Sequence, residues 1–140
     1  RRRALEAMRI CLDTSAYSHF KRGAPTAVEV VDAAEWVGFP AVALGELRTG
    51  FALGRKPLEN ERELAAFLRN PVVEILDVDD AASRIYADIV VALRKAGTPL
   101  PTNDIWIAAI AAREGAPVVT FDEHFRAIQR VGSVVLGSGG

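Results

Sequence analysis

Hydrophobic and polar positions follow two periods along this chain, one typical of short buried strands and one typical of amphipathic helices. Apolar runs predict strands at residues 10–12, 41–44, 72–76, 117–120 and 133–136. Helical spacing predicts helices at residues 25–36, from 45 onward, from 57 to about 70, at 79–96 and at 105–114, with Gly38 and Pro40 stopping the first. Alternating strands and helices predict a parallel sheet covered by helices on both faces, because parallel neighbours need crossover connections.

Length and composition bound the possible classes of protein. A chain of 140 residues, half hydrophobic and a quarter charged, is the size and balance of one globular domain. One cysteine and two histidines exclude a disulfide scaffold and a zinc finger. The longest uncharged runs have ten residues, about half of a membrane-spanning helix, so we expect a cytoplasmic protein. The net charge of -1 taken alone argues against a nucleic-acid enzyme.

The two ends of the chain differ from the middle. Three arginines stand in residues 1–7, and Met8 directly precedes the first predicted strand, so we expect a basic extension that lies upstream of the native start. The alternative is a short solvated basic turn. Residues 8–136 are expected to form the single domain, and residues 137–140 a flexible Gly/Ser tail.

Four acidic residues lie near predicted strand ends, where open α/β sheets bind ligands. Asp13 ends the first strand, Glu46 follows the second, Asp104 lies in the first turn of a helix, and Asp122 follows the fourth strand. If the fold brings them together, their repulsion requires a cation, and hard oxygen ligands favour Mg²⁺ or Mn²⁺ over zinc. Each acid could instead be only a helix cap or an acid stabilised by a helix dipole.

Four segments carry a resemblance to a known family. Residues 12–17 (LDTSAY), 44–50 (LGELRTG), 102–109 (TNDIWIAA) and 118–125 (VVTFDEHF) resemble the four motifs of the PIN domain, and more narrowly those of VapC toxins from type II toxin-antitoxin systems. The match spans residue 8 to about 136. It implies a three-layer α/β/α fold with a short parallel sheet of four to five strands.

The resemblance also implies an activity, a cofactor and partners. The implied activity is that of a Mg²⁺- or Mn²⁺-dependent endoribonuclease, with one or two ions per site and RNA as the substrate. The implied partners are a second copy of the chain, in a homodimer, and a VapB-type antitoxin. The protein would contact DNA only through that antitoxin. By motif position the four family acids fall on Asp13, Glu46, Asp104 and Asp122, and supporting polar positions fall on Thr14, Ser15, Asn103 and Thr120. One departure is Ala43, where many members carry Thr or Ser.

An acid-only site suits in-line attack of metal-activated water on a phosphodiester, with no protein nucleophile. We expect Asp13, Asp104 and Asp122 to bind the metal, and Glu46 to bind it or to orient the water. Candidate RNA contacts are basic residues near the proposed ligands: Lys21, Arg22, Arg48, Arg55 and Lys56. His124 follows two acids at a helix start, which indicates local capping or a surface position.

Other classes of protein with an acidic pocket agree less well with this sequence. A phosphoacceptor signalling module needs a lysine near its last strand, and the last lysine here is Lys95. A haloacid-dehalogenase phosphatase needs a second aspartate two residues after the first, where this chain has Ser15. A pure interaction module would have lost some of the acids. A housekeeping PIN nuclease that works without an antitoxin stays open.

Overall fold

The computed structural model describes residues 8–137, so residues 1–7 and 138–140, assigned above to a basic extension and a tail, lie outside it. The strands are β1 (Arg9–Leu12), β2 (Trp36–Pro40), β3 (Val73–Leu76), β4 (Val118–Thr120) and β5 (Ser133–Val135). The helices are α1 (Thr14–Lys21), α2 (Pro25–Ala33), α3 (Ala41–Leu53), α4 (Pro57–Leu68), α5 (Asp80–Ala96) and α6 (Thr102–Glu114), with a 3₁₀ turn at Glu123–Ala127.

The five strands form one parallel sheet in the order β3-β2-β1-β4-β5, flanked by the helices. The predicted α/β/α architecture with a short parallel sheet is therefore confirmed. The chain runs outward from β1 through β2 to β3 and then crosses back to β4 on the other side of β1. Right-handed crossovers in opposite directions place helices on opposite faces of the sheet. The order reverses between β1 and β4, which is where such sheets bind ligands.

Specific residues set the ends of the helices. Asp13 and Asp79 are side-chain N-caps of α1 and α5, and accept hydrogen bonds from the backbone N–H of Ala16 and Ala82. Gly97 and Gly115 end α5 and α6 in the left-handed region, with φ of 73° and 69°. Asp13, which directly follows β1, fixes where α1 begins at the carboxyl edge of the sheet.

The second strand was assigned wrongly from the sequence. The strand is Trp36–Pro40, and residues 41–44 form the first turn of α3. Gly38 and Pro40 do not stop a helix, because α2 already ends at Ala33. A short apolar run cannot by itself distinguish a strand from a buried helix turn. Here Ala43, Leu44 and Leu47 are buried at helical spacing, so the run is the inner face of α3.

The core lies on both sides of β1. Both Phe39 and Tyr17 are buried, and they pack with Phe20 and Phe67 in an aromatic cluster. Helix α6 is buried along most of its length, with residues 107–111 all inaccessible or nearly so. Its first turn, which carries Asp104, is therefore held rigidly against the sheet. Within residues 8–137, no helix combines the length and the apolar character needed to span a bilayer.

Candidate active site

Asp13 lies directly after β1 and is 4% exposed. Its Oδ1 accepts hydrogen bonds from Ala16 N at 2.8 Å and Ser15 Oγ at 2.9 Å, and its Oδ2 accepts one from the buried Thr120 hydroxyl. The same Thr120 oxygen accepts a hydrogen bond from Asp122 N at 2.9 Å. Thr120 therefore joins the acid after β1 to the acid after β4, and Asp13 serves both as helix cap and as site residue.

Glu46 reaches the site from the middle of α3. Its Oε1 accepts a hydrogen bond from Thr14 Oγ1, and its Oε2 accepts one from Asn103 Nδ2 at 3.1 Å. Both supporting residues belong to the set implied by the family motifs. Ala43, the departure from those motifs, is completely buried in the core. Glu46 is thus oriented by polar side chains from α1 and α6.

Asp104 and Asp122 approach from α6 and from the end of β4. Asp122 Oδ1 caps the 3₁₀ turn by accepting from His124 N at 2.9 Å. The other oxygen, Oδ2, lies 3.1 Å from His124 Nδ1, and Asp104 Oδ2 lies 3.5 Å from the same nitrogen. These three residues each offer a ligand atom within 4.8 Å of the others.

The four acids lie in the kinds of position predicted for them, except that the strand before Glu46 ends at Pro40 and not at residue 44. Asp13 and Asp122 follow β1 and β4, whereas Glu46 and Asp104 project from helices α3 and α6. Asp13 and Glu46 lie outside the tight group formed by Asp104, Asp122 and His124. They are nevertheless close enough for electrostatic interaction: the charge of Asp104 raises the pKa of Asp13, and the charge of Glu46 raises the pKa of Asp104.

Burial and mutual repulsion raise the pKa of two of the acids. Burial is the main cause for Asp13, opposed by its hydrogen bonds to Thr120, Ala16 and Ser15, and the charge of Asp104 raises its pKa further. Burial also raises the pKa of Asp104, where the charges of Asp122 and Glu46 add to the effect and contact with His124 opposes it. Asp104 is therefore the electrostatic centre of the site.

The residues fit a divalent cation. Within residues 8–137, no lysine or arginine forms a salt bridge with any of the four acids. Within the same residues, their negative charge thus has no lysine or arginine partner, and His124 is the basic side chain that contacts Asp104 and Asp122. Carboxylates provide the hard oxygen donors that Mg²⁺ and Mn²⁺ accept. Sequence reasoning missed the contact of His124 with Asp104, because that contact depends on how α6 packs against β4.

The candidate RNA contacts lie on exposed parts of α1, α3 and the α3–α4 connection. Two of them are already paired with acids of α4, Arg48 Nη2 with Glu61 Oε2 at 3.1 Å and Lys21 Nζ with Glu63 Oε1 at 3.7 Å. Lys21 and Arg22 line a groove of about 180 Å³ between α1, α3 and α4, together with apolar Leu47 and Phe51. Arg55 and Lys56 are exposed before α4.

The sheet order and the acids at its reversal point define an α/β/α domain with an acidic site at the carboxyl edge of its sheet. The model of the PIN domain matches residues 10–131, and the chain belongs to this family.

Within this family, the chain is similar to several named proteins. The chain is 32% identical over 123 residues to "Ribonuclease VapC5" of Mycobacterium tuberculosis, covering 88% of this chain and 90% of the relative. It is 37% identical over 97 residues to "Ribonuclease VapC4" of the same organism, covering 69% and 74%. Among solved structures it is similar to VapBC-5 of M. tuberculosis, described as a member of the VapBC family of toxin-antitoxin systems. That match has a TM-score of 0.71 and 30% identity, and covers 94% of this chain and 99% of the other.

Proposed function

We propose that this protein is the toxin of a type II toxin-antitoxin pair, a Mg²⁺- or Mn²⁺-dependent endoribonuclease neutralised by a VapB-type antitoxin. The observation that carries the proposal is the convergence of Glu46, Asp122 and Asp13 around Asp104 at the reversal point of a PIN-domain sheet. The VapC ribonuclease names of the relatives and the VapBC complex among similar structures support the choice of RNA as substrate and of a VapB-type partner.

The residues of the chain have distinct tasks in this proposal. Asp104 and Asp122 hold the cation, which when bound supplies Lewis acidity for hydrolysis of a phosphodiester by water. Asp13 also binds the cation, with an orientation fixed by Thr120, Ser15 and the N-terminus of α1. Glu46, held by Thr14 and Asn103, binds the cation or orients the attacking water. No protein nucleophile takes part.

Cleavage of RNA by purified protein tests the nuclease assignment. Wild type should cut RNA only with Mg²⁺ or Mn²⁺ and leave 5′-phosphate and 3′-hydroxyl ends. Asp104→Asn should lose at least about a hundredfold in rate, because the carboxylate at the centre of the site is removed. Asp32→Asn, which changes an exposed acid of α2, is the matched control and should cut normally. A 2′,3′-cyclic phosphate product, or full activity in Asp104→Asn, would refute the mechanism.

Expression in a bacterial host tests the role as a toxin. Wild type should arrest growth and Asp104→Asn should not, and co-expression of the antitoxin encoded by a small upstream reading frame should restore growth. We assign the C-terminal segment of the antitoxin to the groove at the active site, as the family resemblance implies. Growth arrest by both forms, or by neither, contradicts a metal-dependent toxin. Cleavage that no antitoxin suppresses would favour a housekeeping nuclease.

A further inference from the structure

We propose that His124 is a direct ligand of the cation and that it makes this site prefer first-row transition ions, such as Mn²⁺ and Co²⁺, over Mg²⁺. The inference rests on the proposed metal-dependent function and adds a nitrogen donor to its four acids. The sequence motifs assign no such role to this histidine. Imidazole nitrogen is a ligand that transition ions accept readily, whereas Mg²⁺ favours oxygen and keeps its waters.

The distances around His124 suit adjacent positions of one coordination sphere. Its Nδ1 lies 3.1 Å from Asp122 Oδ2 and 3.5 Å from Asp104 Oδ2. Ligands at about 2.1 Å from an octahedral ion are separated by about 3 Å along each edge of the octahedron. The two distances from His124 Nδ1 are therefore close to the length of an octahedral edge, and the ligand atoms of all three residues lie within 4.8 Å of one another.

The backbone places the imidazole there. Asp122 caps the 3₁₀ turn by accepting from His124 N, which puts both side chains on the same side of the turn. The next residue, Phe125, is completely buried and anchors the turn in the core. The imidazole itself is half exposed, with 51% of the side chain accessible, so its position facing two acids is not a result of core packing.

His19, the other histidine of the chain, provides a natural control. Its Nδ1 is 2.9 Å from the carbonyl oxygen of Ser15, and its ring stacks on Phe121 with centroids 3.8 Å apart. That nitrogen already has a partner in the backbone of α1. A nitrogen signal from a bound ion can therefore be assigned by changing one histidine at a time.

Pulsed electron paramagnetic resonance of Mn²⁺ bound to the full chain provides a direct test, because it detects a coordinated imidazole ¹⁴N without relying on activity. Wild type and His19→Gln should show the nitrogen coupling, and His124→Gln should lose it. The Mn²⁺ dissociation constant should rise about tenfold or more in His124→Gln. The Mg²⁺ constant, measured by competition, should change less than about twofold because water replaces the imidazole.

The outcomes separate this inference from the proposed function. Mn²⁺ bound to wild type without nitrogen coupling, or with equal affinity in wild type and His124→Gln, would show that the histidine is only a neighbour of the acids. The nuclease proposal would then stand with oxygen ligands alone. Failure of wild type to bind Mn²⁺ more tightly than Asp104→Asn would instead remove the metal site itself, and with it both proposals.

Discussion

Asp13 and Cys11 are two residues apart at the end of β1, and burial raises the pKa of both side chains. The Cys11 thiol is neutral, so burial costs it little and raises its pKa to about 12. The Asp13 carboxylate is acceptable in the same environment only because its oxygens accept hydrogen bonds from Thr120, Ser15 and Ala16. Two predictions about stability follow, one from the Cys11 thiol and one from the hydrogen bonds to Asp13.

The raised pKa of Cys11 predicts a loss of stability in alkaline solution. The folded protein holds the thiol proton more tightly than the unfolded chain does, so this contribution is complete below pH 9 and falls as the pH rises toward about 12. Its slope cannot exceed about 1.4 kcal/mol per pH unit. Urea unfolding between pH 7.5 and 10.5 should show a smaller alkaline slope in Cys11→Ala. Burial also raises the pKa of Tyr17 to about 12, so the stability of Cys11→Ala should still fall somewhat as the pH rises.

Thr120→Val should destabilise the protein by about 1 to 3 kcal/mol, although the two side chains have similar shapes. The substitution leaves the buried Asp13 carboxylate without one donor and Asp122 N without its acceptor. Thermal or urea unfolding measures the loss. Thr49→Val is the matched control, because the Thr49 hydroxyl binds only the carbonyl of Gly45 on an exposed surface. Equal stability of the two variants would contradict a structural role for the Thr120 hydroxyl.

At the level of elements, β2 is the least typical strand of the sheet, since it carries both Gly38 and Pro40. A Cβ on Gly38 would lie 2.5 Å from the Trp36 ring and 2.6 Å from Leu76 Cδ1. The Trp36 ring is itself fixed by its hydrogen bond to Glu74 and by Arg9, whose guanidinium lies 4.2 Å from the ring centroid. The glycine thus makes room for a large neighbour on the same strand.

Gly38→Ala should therefore destabilise the protein by about 1 to 3 kcal/mol through overpacking. Gly50→Ala should have the opposite effect, a gain of up to about 1 kcal/mol, because Gly50 lies in α3 with open space where its Cβ would stand. Denaturant unfolding of the two variants measures both changes in the free energy of unfolding, a loss for Gly38→Ala and a gain for Gly50→Ala. If Gly38→Ala were as stable as wild type, the Trp36 ring would have to move without cost.

The sequence was sufficient to predict a parallel sheet flanked by helices, four of its five strands and most of the helices, and its motifs led to four acids as candidates for the site. The motifs supply those residue types, and strands such as β3 are short apolar runs with clear breaks. The second strand could not be predicted because the space for Gly38 and the buried face of α3 are set by tertiary packing. The contact of His124 with Asp104 likewise exists only after α6 packs against β4.

For the molecule as a whole, four acids are concentrated at the candidate site, and the other charged residues are spread over the rest of the chain. Apart from the four site acids, seventeen basic residues face fourteen acidic ones, so the remaining surface is only slightly positive. Acids of α4 already occupy Arg48 and Lys21. Within residues 8–137, no salt bridge engages Arg22, Arg55 or Lys56. A weak electrostatic attraction for RNA follows from this distribution.

The salt dependence of RNA binding should accordingly be shallow. Three available cations predict a slope of about −2 for log affinity against log salt on single-stranded RNA, and all five candidates predict about −3.5. Fluorescence anisotropy with the inactive Asp104→Asn form measures the slope. Arg55→Ala should reduce its magnitude by about 0.7. A slope near −3.5 would show that RNA displaces Glu61 and Glu63 from their basic partners.

The pairing of β1 with β4 has a consequence for synthesis on the ribosome. Asp13, Glu46 and Asp104 emerge early or midway, but the hydroxyl that orients Asp13 belongs to Thr120, and Asp122 follows it. A nascent chain that has not yet released β4 has a lone central strand edge and an incomplete set of acids. The complete set of site residues therefore exists only once nearly all of the domain has left the exit tunnel.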